Sequence, residues 1–340
     1  MTTSGFGVGV AQIGPRLGDV AHNLGLYEEA VERALERGLD LVVFPELSLT
    51  GYALRDLVPS VAVRRDGAQV KRLAELSRRI AIVAGFVEEA EDCRFFNTAM
   101  FFDRGEIGHV HRKVYLPTYG MFDEQRYFAR GDRVRAVDTR FGCLAVLVCE
   151  DLWHPSTGYL AALDGATTIL CPSSSPIRGV SEGTAADDNA RFWEMLNAFY
   201  AQTFGLYVVY ANRVGFEDGV GFWGGSEVVD PFGARLAKAR YYEPDFIAAE
   251  VSHGAVRRKR LAAPLLRDED LDLTINELLR IRGRSDGIAG SAAPSPVPDP
   301  APARPTAATS KPRAVATVPR HTRAAARPRK TAPGGRGRRR

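Results

Sequence analysis

Short apolar runs alternate with longer amphipathic segments along most of this 340-residue chain. The runs Asp40–Phe44 and Cys143–Val148 are almost wholly apolar, as strands covered on both faces of a sheet are. Between such runs apolar residues recur at helical spacing, and Asn23 is the predicted N-cap of a helix that continues to Arg37. A longer helix is predicted over Ala185–Phe204. This alternation predicts an α/β fold with a mixed sheet or sheets and helices packed outside them.

The same patterns predict further elements on either side of these. The other predicted strands are Phe6–Ile13, Ile80–Phe86, Phe95–Phe102, Glu106–Val110, Thr167–Cys171, Tyr207–Asn212, Ser226–Asp230 and Phe246–Val251. The other predicted helices are Ala68–Arg79, Thr157–Leu163 and Leu271–Ile281, after which Gly283 and Gly287 are expected to end the fold.

The last 53 residues, Ile288–Arg340, have a different composition from the rest of the chain. They contain twelve Lys or Arg, one acidic residue (Asp299) and ten of the twenty prolines, but no Phe, Trp or Tyr. Such a segment cannot bury enough apolar surface to offset its chain entropy, so we expect it to be disordered. The remainder has a net charge of −7, although the whole chain carries +4. The sequence therefore predicts an acidic folded domain at 1–287 and a basic Pro/Ala/Arg-rich tail at 288–340.

Several classes of protein are disfavoured by simple counts. No stretch approaches the roughly 18 apolar residues of a membrane-spanning helix, and the N-terminus lacks the pattern of a signal peptide. The four cysteines, Cys93, Cys143, Cys149 and Cys171, are too few for a disulfide framework and form no C-x-x-C pair. We therefore expect a cytoplasmic protein that makes no membrane contact.

Two of the apolar runs stop at a side chain that could carry chemistry. Asp40–Phe44 is followed by Pro45 and Glu46, and Cys143–Val148 is followed by Cys149. In α/β folds ligands collect beyond the carboxyl ends of strands, because the loops there vary while the sheet holds its position. Glu46 and Cys149 are therefore better candidates for a functional site than their residue types alone indicate.

A cysteine at a strand end is usually an inert part of the core, and Cys149 needs further support. It precedes two carboxylates, Glu150 and Asp151, which would raise the pKa of a thiol, so a reactive thiolate needs a nearby cation and a base. Glu46 and Lys113 could supply these, although a capping carboxylate and a solvated lysine are the ordinary interpretations. Pattern alone thus indicates an α/β protein and leaves open whether it is a cysteine hydrolase.

The strings FPELSLTGY, HRKVYLPTYGMFDEQRYF and VLVCEDLWHP resemble, in order and spacing, the three signature blocks of the nitrilase superfamily of carbon–nitrogen hydrolases. The resemblance extends from about Phe6 to about Arg282. It implies a four-layer α-β-β-α sandwich, which in this superfamily commonly pairs with a second copy. It also implies a catalytic triad of Glu46, Lys113 and Cys149, with Glu124 as a second glutamate that orients substrate and supports proton transfer.

The lysine block and the CEDLW string are most similar to the glutaminase domain of glutamine-dependent NAD synthetases. This similarity implies that Tyr119, Glu150 and Ser175 contact the substrate. Two features depart from that domain. The synthetase half is absent from this sequence, and Ser181 stands where a basic residue would hold the glutamine α-carboxylate, with Arg178 as a candidate replacement. We therefore expect a stand-alone amidase.

Three aromatic residues, Phe122, Trp153 and Trp193, are candidate walls of the substrate pocket, although packing in the core explains each of them equally well. His109, His111 and His154 do not form a tight set of metal ligands, and surface or structural roles are the ordinary interpretation. We expect neither a metal nor a cofactor.

These observations predict a hydrolase that cleaves a non-peptide amide bond of a small molecule and releases ammonia through a thioester on Cys149. A nitrilase and an N-carbamoyl hydrolase are the alternative enzymes. A catalytically silent relative acting as a polyanion-binding scaffold is the alternative of another class. As partners we expect a small-molecule amide substrate and a second copy of the chain in a homodimer or higher homo-oligomer. The basic tail could add non-specific contact with nucleic acid or another polyanion.

Overall fold

The computed structural model describes residues 5–177 and 185–288. Its strands, in chain order, are β1 (Gly5–Gln12), β2 (Leu41–Val43), β3 (Val63–Arg64), β4 (Ala81–Glu89), β5 (Phe95–Asp103), β6 (Glu106–Arg112), β7 (Ala136–Thr139), β8 (Gly142–Val146), β9 (Thr168–Ser173), β10 (Tyr207–Asn212), β11 (Val214–Glu217), β12 (Val220–Trp223), β13 (Glu227–Val229), β14 (Arg235–Lys238) and β15 (Asp245–Ser252). Its helices are α1 (Val20–Glu36), α2 (Val58–Val61), α3 (Ala68–Leu76), α4 (Glu124–Tyr127), α5 (Glu150–Trp153), α6 (Pro155–Leu163), α7 (Ala185–Phe204), α8 (His253–Ala262) and α9 (Leu271–Ile288).

Two mixed sheets organise these strands. The first has the order β15-β1-β2-β4-β5-β6, with β3 paired to β4, and the second has the order β14-β13-β10-β9-β8-β7. Strand β2 runs parallel to β1 and β4, and β9 runs parallel to β8 and β10. Strands β11 and β12 form a separate hairpin. The predicted mixed α/β fold is therefore confirmed.

Alternate residues of each sheet face two different cores. Between the sheets lie Val10 of β1, Val146 of β8 and Val209 of β10, all buried. The outer face of the first sheet packs on α1 and α3, and the outer face of the second packs on α6 and α7; these outer cores include Tyr27, Val42, Leu73, Ile82, Ala161, Ile169, Trp193 and Val208. The layers thus run helix, sheet, sheet, helix, as the resemblance implied.

Several sequence-based details differ from the structure. The predicted N-cap Asn23 is wrong: helix α1 begins at Val20, and Asp19 caps it by accepting a hydrogen bond from the His22 backbone N–H. Asn23 is buried inside the helix and bonds the backbone of Arg16 and Leu49 instead. The hairpin β11–β12, the helix α8 and the short strand β7 were not predicted. Helix α9 continues through Gly283 to Ile288.

The chain divides into two units between Leu273 and Thr274, and the second unit is described only as far as Ile288. The predicted boundary at 287 stays a prediction, and most of the predicted disordered tail lies outside the described residues. Among the described residues, no helix combines the length and apolar character that a membrane crossing requires.

Candidate active site

The candidate nucleophile Cys149 lies in a sharp turn between β8 and the short helix α5. Its backbone adopts φ 45° and ψ −102°, a conformation that costs a non-glycine residue energy and that recurs at functional sites. Its backbone N–H donates to the Pro172 carbonyl at 2.9 Å, which ties the turn to the end of β9. The Ser173 hydroxyl donates to the Cys149 Sγ at 3.3 Å. The thiol is therefore presented at the carboxyl edge of the second sheet in a fixed orientation.

The carboxylate of Glu46, just beyond β2 in the first sheet, is fully buried and is held from three directions. Its Oε1 accepts from Lys113 Nζ and from Asn97 Nδ2, each at 2.7 Å, and its Oε2 accepts from the Ser174 backbone N–H at 2.8 Å. Ser174 follows β9, so this last bond joins the two sheets. Both oxygens are therefore fixed in place, and the carboxylate is pre-oriented.

Lys113 directly follows β6 and extends its side chain into the same buried space. Besides Glu46, its Nζ donates to Glu124 Oε1 at 2.8 Å, and the same oxygen accepts from the Tyr52 hydroxyl at 2.6 Å. A lone buried ammonium would be costly, whereas one held between two carboxylates is compensated. The structure thus brings Glu46, Lys113 and Glu124 into direct contact.

The charges of this cluster shift one another's proton affinities. Burial lowers the pKa of Lys113, but attraction to Glu124 and Glu46 outweighs it and the pKa is raised well above its ordinary value. Burial, with repulsion from Glu46, raises the pKa of the Cys149 thiol against the opposing effect of Lys113. Burial also raises the pKa of Glu124 to about 7, although Lys113 opposes it. The lysine is therefore charged and the cysteine is a neutral thiol at rest.

Asp151, one of the two carboxylates after Cys149, fastens the lysine segment to the cysteine turn. Its Oδ1 accepts from the backbone N–H groups of Val114 and Tyr115 at 2.9 Å each, and its Oδ2 accepts from the Val148 N–H at 3.0 Å. His111 Nε2 lies 2.7 Å from the same Oδ2, and both side chains are buried. Sequence reasoning treated Asp151 only as a source of negative charge, whereas its structural part is to align Lys113 with Cys149.

The predicted substrate contacts Tyr119 and Glu150 lie together. The Tyr119 hydroxyl donates to Glu150 Oε1 at 2.9 Å, and both residues line a cavity of about 400 Å³ together with His154. Phe122 packs edge-on against Tyr119 at 5.6 Å and lines a second cavity of about 460 Å³ that also contains Tyr52 and Glu124. Both cavities are of a size that takes small molecules.

Ser175 is buried and Trp153 is half-buried, and both contact other side chains. The Ser175 hydroxyl oxygen accepts from Asn189 Nδ2, Trp193 Nε1 and Trp223 Nε1, at 3.0, 2.9 and 3.2 Å. Trp153 packs on Phe192 at 4.3 Å and on Trp193, which is itself buried. Their contact with substrate stays a prediction. Arg178 and Ser181, expected near the substrate carboxylate, lie outside the described residues.

Four partners of the cluster were missed by sequence reasoning: Tyr52, Asn97, Ser173 and Ser174. Ser173 and Ser174 had a usable signal, since they end the strand next to that of Cys149. Asn97 lies inside an apolar strand, where an amide needs a buried partner, and this too could have marked it. In residues 5–177 and 185–288, no group of three or more His, Cys, Asp or Glu side chains is arranged to hold a metal ion.

The fold and the site together define the class of protein to which this chain belongs. The family model of carbon–nitrogen hydrolases matches residues 7–260, and the chain belongs to this family, whose enzymes act on carbon–nitrogen bonds. Its solved structural neighbours include an amidase of the nitrilase superfamily, the superfamily that the three signature strings implied.

Individual relatives agree with this assignment. The chain is 33% identical over 262 residues to a glutamine-dependent NAD(+) synthetase of Thermotoga maritima, covering 76% of this chain and 44% of the relative. It is 28% identical to a probable nitrilase of Schizosaccharomyces pombe, over 66% of this chain and 81% of that protein. An amidase of Nesterenkonia sp. AN1, solved with acrylamide added to its active-site cysteine, superposes with a TM-score of 0.67 at 27% identity, covering 80% of this chain and 99% of the amidase. The chain thus spans about half the length of the NAD synthetases it matches.

Proposed function

We propose that this protein is an amidase that hydrolyses the carbon–nitrogen bond of a small-molecule amide and releases ammonia. The observation that carries the proposal is the buried Lys113 ammonium, held at 2.7 Å from Glu46 and 2.8 Å from Glu124. The adjacent residues Ser173 and Ser174 bond the sulfur of the strained Cys149 turn and the Glu46 carboxylate, which links the cysteine to this cluster. A nucleophile, a general base and a fixed cation are the groups that acyl transfer needs. The Glu-Lys-Cys triad is then Glu46, Lys113 and Cys149.

The first step is attack by sulfur on the amide carbon. Because the pKa of the Cys149 thiol is raised, the thiol is neutral at rest and must lose its proton as it attacks. The Glu46 carboxylate takes that proton while the S–C bond forms. The carbonyl oxygen becomes negative, and the Lys113 ammonium with the Glu150 backbone N–H stabilises it.

The tetrahedral intermediate then collapses. Glu46 returns the proton to the leaving nitrogen, the C–N bond breaks, and ammonia departs to leave a thioester on Cys149. A water molecule, losing a proton to Glu46, attacks the thioester carbon. The C–S bond breaks, the carboxylic acid leaves, and the proton returns from Glu46 to the sulfur. Glu124 fixes Lys113 from the other side throughout this cycle.

The substrate class is proposed from the relatives and the surface near the site. The Nesterenkonia amidase and the glutamine-dependent NAD(+) synthetase indicate amides, with glutamine and simple ω-amides as the leading candidates. The hydrogen-bonded Tyr119 and Glu150 offer a hydroxyl and a carboxylate to the polar end of such a molecule. Arg178, if it holds a substrate carboxylate as the sequence suggests, would favour glutamine.

The proposal is tested by ammonia release from a panel of glutamine, asparagine, short aliphatic amides, N-carbamoyl compounds and nitriles. Turnover of at least one amide, abolished in C149A, is the expected result. Exclusive turnover of nitriles would replace the amidase with a nitrilase, in which the same sulfur forms a thioimidate. No turnover of any compound, with Cys149 unreactive to thiol-directed electrophiles, would favour the silent scaffold instead.

We propose a homodimer in the cytoplasm, with the basic tail available for polyanions. Light scattering of the full chain that gave a monomer mass at micromolar concentration would contradict the dimer.

A further inference from the structure

A further cavity, of about 420 Å³, lies at the β6 edge of the first sheet, and we call it the arginine-lined cavity. Its arginines are Arg65, Arg94, Arg112, Arg130 and Arg133. They converge on this cavity from the turn after β3, from the start of β5, from β6 and from the loop before β7. Phe96, Val110 and Gly131 complete its lining, with Asp132 as its one carboxylate. The reaction proposed above does not use any of these side chains.

The buried carboxylate of Glu88 anchors two of these guanidiniums. Glu88, which is fully buried, accepts from Arg65 Nε and from Nε and Nη2 of Arg112. The Arg112 guanidinium also lies 3.7 Å from the centre of the Phe96 ring, which fixes its plane. Among the described residues, the two Nη atoms of Arg65 and the Nη1 atom of Arg112 have no hydrogen-bond acceptor. Anchored planar donors with free edges are pre-organised for an oxyanion.

Two of the exposed arginines, Arg94 and Arg133, pair only with carboxylates that are close in the sequence. Arg94 pairs with Asp92 and Arg133 with Asp132. Arg130 donates Nε to the Val114 carbonyl and has no carboxylate partner within the described part of the chain. Five guanidiniums therefore face three bonded carboxylates, Glu88, Asp92 and Asp132, which leaves a local excess of two positive charges.

A neighbouring cavity of about 530 Å³ shows that this excess is local. It shares three of its arginines with the arginine-lined cavity. Its lining adds one more arginine and five carboxylates: Arg64, Asp66, Glu88, Glu89, Glu91 and Asp92. Those carboxylates would repel an anion. Of these two cavities, we therefore expect an anionic ligand in the arginine-lined cavity alone.

From this arrangement we infer that the arginine-lined cavity is a binding site for a small anion with several phosphoryl groups, an oligophosphate. One carboxylate can engage one or two guanidiniums, whereas linked phosphoryl groups offer enough oxygens to satisfy all five. The Phe96 ring is buried against Arg112, so it offers no open face on which a base could stack. Recognition therefore depends on the phosphate chain.

The cavity is next to the backbone of the active site without including its side chains. The Gly131 N–H donates to the Lys113 carbonyl at 2.8 Å, and a Cβ on Gly131 would lie 2.0 Å from the Arg112 carbonyl oxygen. Only glycine permits this close approach. The loop of Arg130 and Arg133 is thereby fixed to β6, which keeps the five arginines around one space.

The test is calorimetric titration of the full chain with sodium triphosphate, in the wild type and in R94Q/R133Q. Both residues are more than half exposed and bond only nearby acids, so their replacement leaves the fold intact, which a thermal melt by circular dichroism checks. The matched control is R240Q/R267Q. It removes the same charge from two exposed arginines that also pair with nearby acids, and neither lines the cavity.

We expect saturable binding that weakens about tenfold or more in R94Q/R133Q, because each lost charge-assisted contact is worth roughly a factor of ten. The control should stay within about twofold of the wild type, with any binding to the basic tail the same in all three proteins. Equal weakening in both double variants, unchanged affinity in R94Q/R133Q, or no saturable binding by the wild type would each overturn the inference. Ammonia release is not the readout, so the result is independent of the proposed hydrolysis.

Discussion

At the scale of single residues, the site depends on one buried cation between two buried carboxylates. Lys113 compensates Glu46 and Glu124, and their proximity keeps it charged despite burial. The same cation is placed to meet the negative charge that develops on a substrate oxygen. One side chain therefore serves both the stability of the cluster and its proposed chemistry, and the two effects have to be measured separately.

Replacing Lys113 by alanine should lower kcat by about 10²–10³-fold, the usual cost of losing one donor to a developing oxyanion. It should also lower the free energy of unfolding by about 3–5 kcal/mol, because two buried carboxylates lose their partner. Steady-state ammonia release and urea unfolding measure the two effects. Lys71→Ala, on the exposed surface of α3, is the control. A kcat for Lys113→Ala within threefold of the wild type would exclude the proposed role.

Glu124 should determine how activity depends on pH near neutrality. Burial raises its pKa to about 7, so it ionises in that range, and kcat/KM should rise with pH as the carboxylate forms beside Lys113. In Glu124→Gln the side chain at position 124 stays neutral at every pH. We therefore expect kcat/KM to remain at its low-pH level without this rise. The apparent pKa of this rise belongs to the whole cluster of interacting groups and not to Glu124 alone.

The raised pKa of Glu124 also makes the stability of the protein depend on pH in a defined direction. The folded protein holds the Glu124 proton more tightly than the unfolded chain, so the free energy of unfolding falls as the pH rises from about 4.5 to about 7. Glu124→Gln should reduce this fall, whereas the exposed Glu91→Gln should not. A rise in kcat/KM near pH 7 that persists in Glu124→Gln would assign the titration to another group.

At the scale of secondary structure elements, the loop after β2 is positioned by close packing on β4. A Cβ on Gly85 of β4 would lie 2.5 Å from the Pro45 carbonyl oxygen and 2.8 Å from the Leu47 backbone N. Glu46 lies between those two residues. The backbone that carries the proposed base therefore rests directly on a strand position that has no room for a side chain.

Gly85→Ala should displace this loop. We expect a loss of about 1–3 kcal/mol in the free energy of unfolding, as is usual for overpacking. We also expect kcat to fall by about tenfold or more, since small misplacements of a reacting group are costly. Gly25→Ala in α1, where a Cβ meets no other atom within 4 Å, is the matched control and should leave kcat unchanged. Wild-type kcat in Gly85→Ala would show that the loop is not positioned by this contact.

Elements with strong periodicity could be predicted from the sequence, and elements without it could not. The helix Ala185–Phe204 and the strand Tyr207–Asn212 have the predicted bounds, because their apolar residues repeat clearly. Helix α8 was missed because its segment is rich in Arg and Lys and only Ala255 and Val256 are buried. The candidate triad could be predicted from its sequence motifs. The hydrogen bonds that support it could not be predicted, because they join residues such as Glu46 and Ser174 that lie far apart in the chain.

At the scale of the whole molecule, charge is distributed unevenly. Residues 1–287 carry a net charge of −7, and the basic segment 288–340 brings the total to +4. Chemistry is proposed for the acidic part alone. Any affinity for polyanions should therefore depend mainly on the basic segment, apart from the small arginine-lined cavity.

Truncation after Gly287 separates polyanion binding from the proposed hydrolysis. The shortened protein should lose binding to a labelled DNA duplex, measured by fluorescence polarisation, and keep the kcat of the full chain. In the full chain the affinity should fall steeply between about 50 and about 200 mM salt, as expected for contacts with phosphates. DNA binding that survives truncation would place the polyanion contact elsewhere in the molecule.

The central claim is that Cys149 forms a covalent acyl intermediate, and mass spectrometry of the full chain quenched during turnover of an amide tests it most directly. We predict a mass increase equal to the acyl group on the peptide that contains Cys149, ammonia release with the same substrate, and neither in C149A. Ammonia release that continues in C149A, with no adduct on Cys149 in the wild type, would contradict the account.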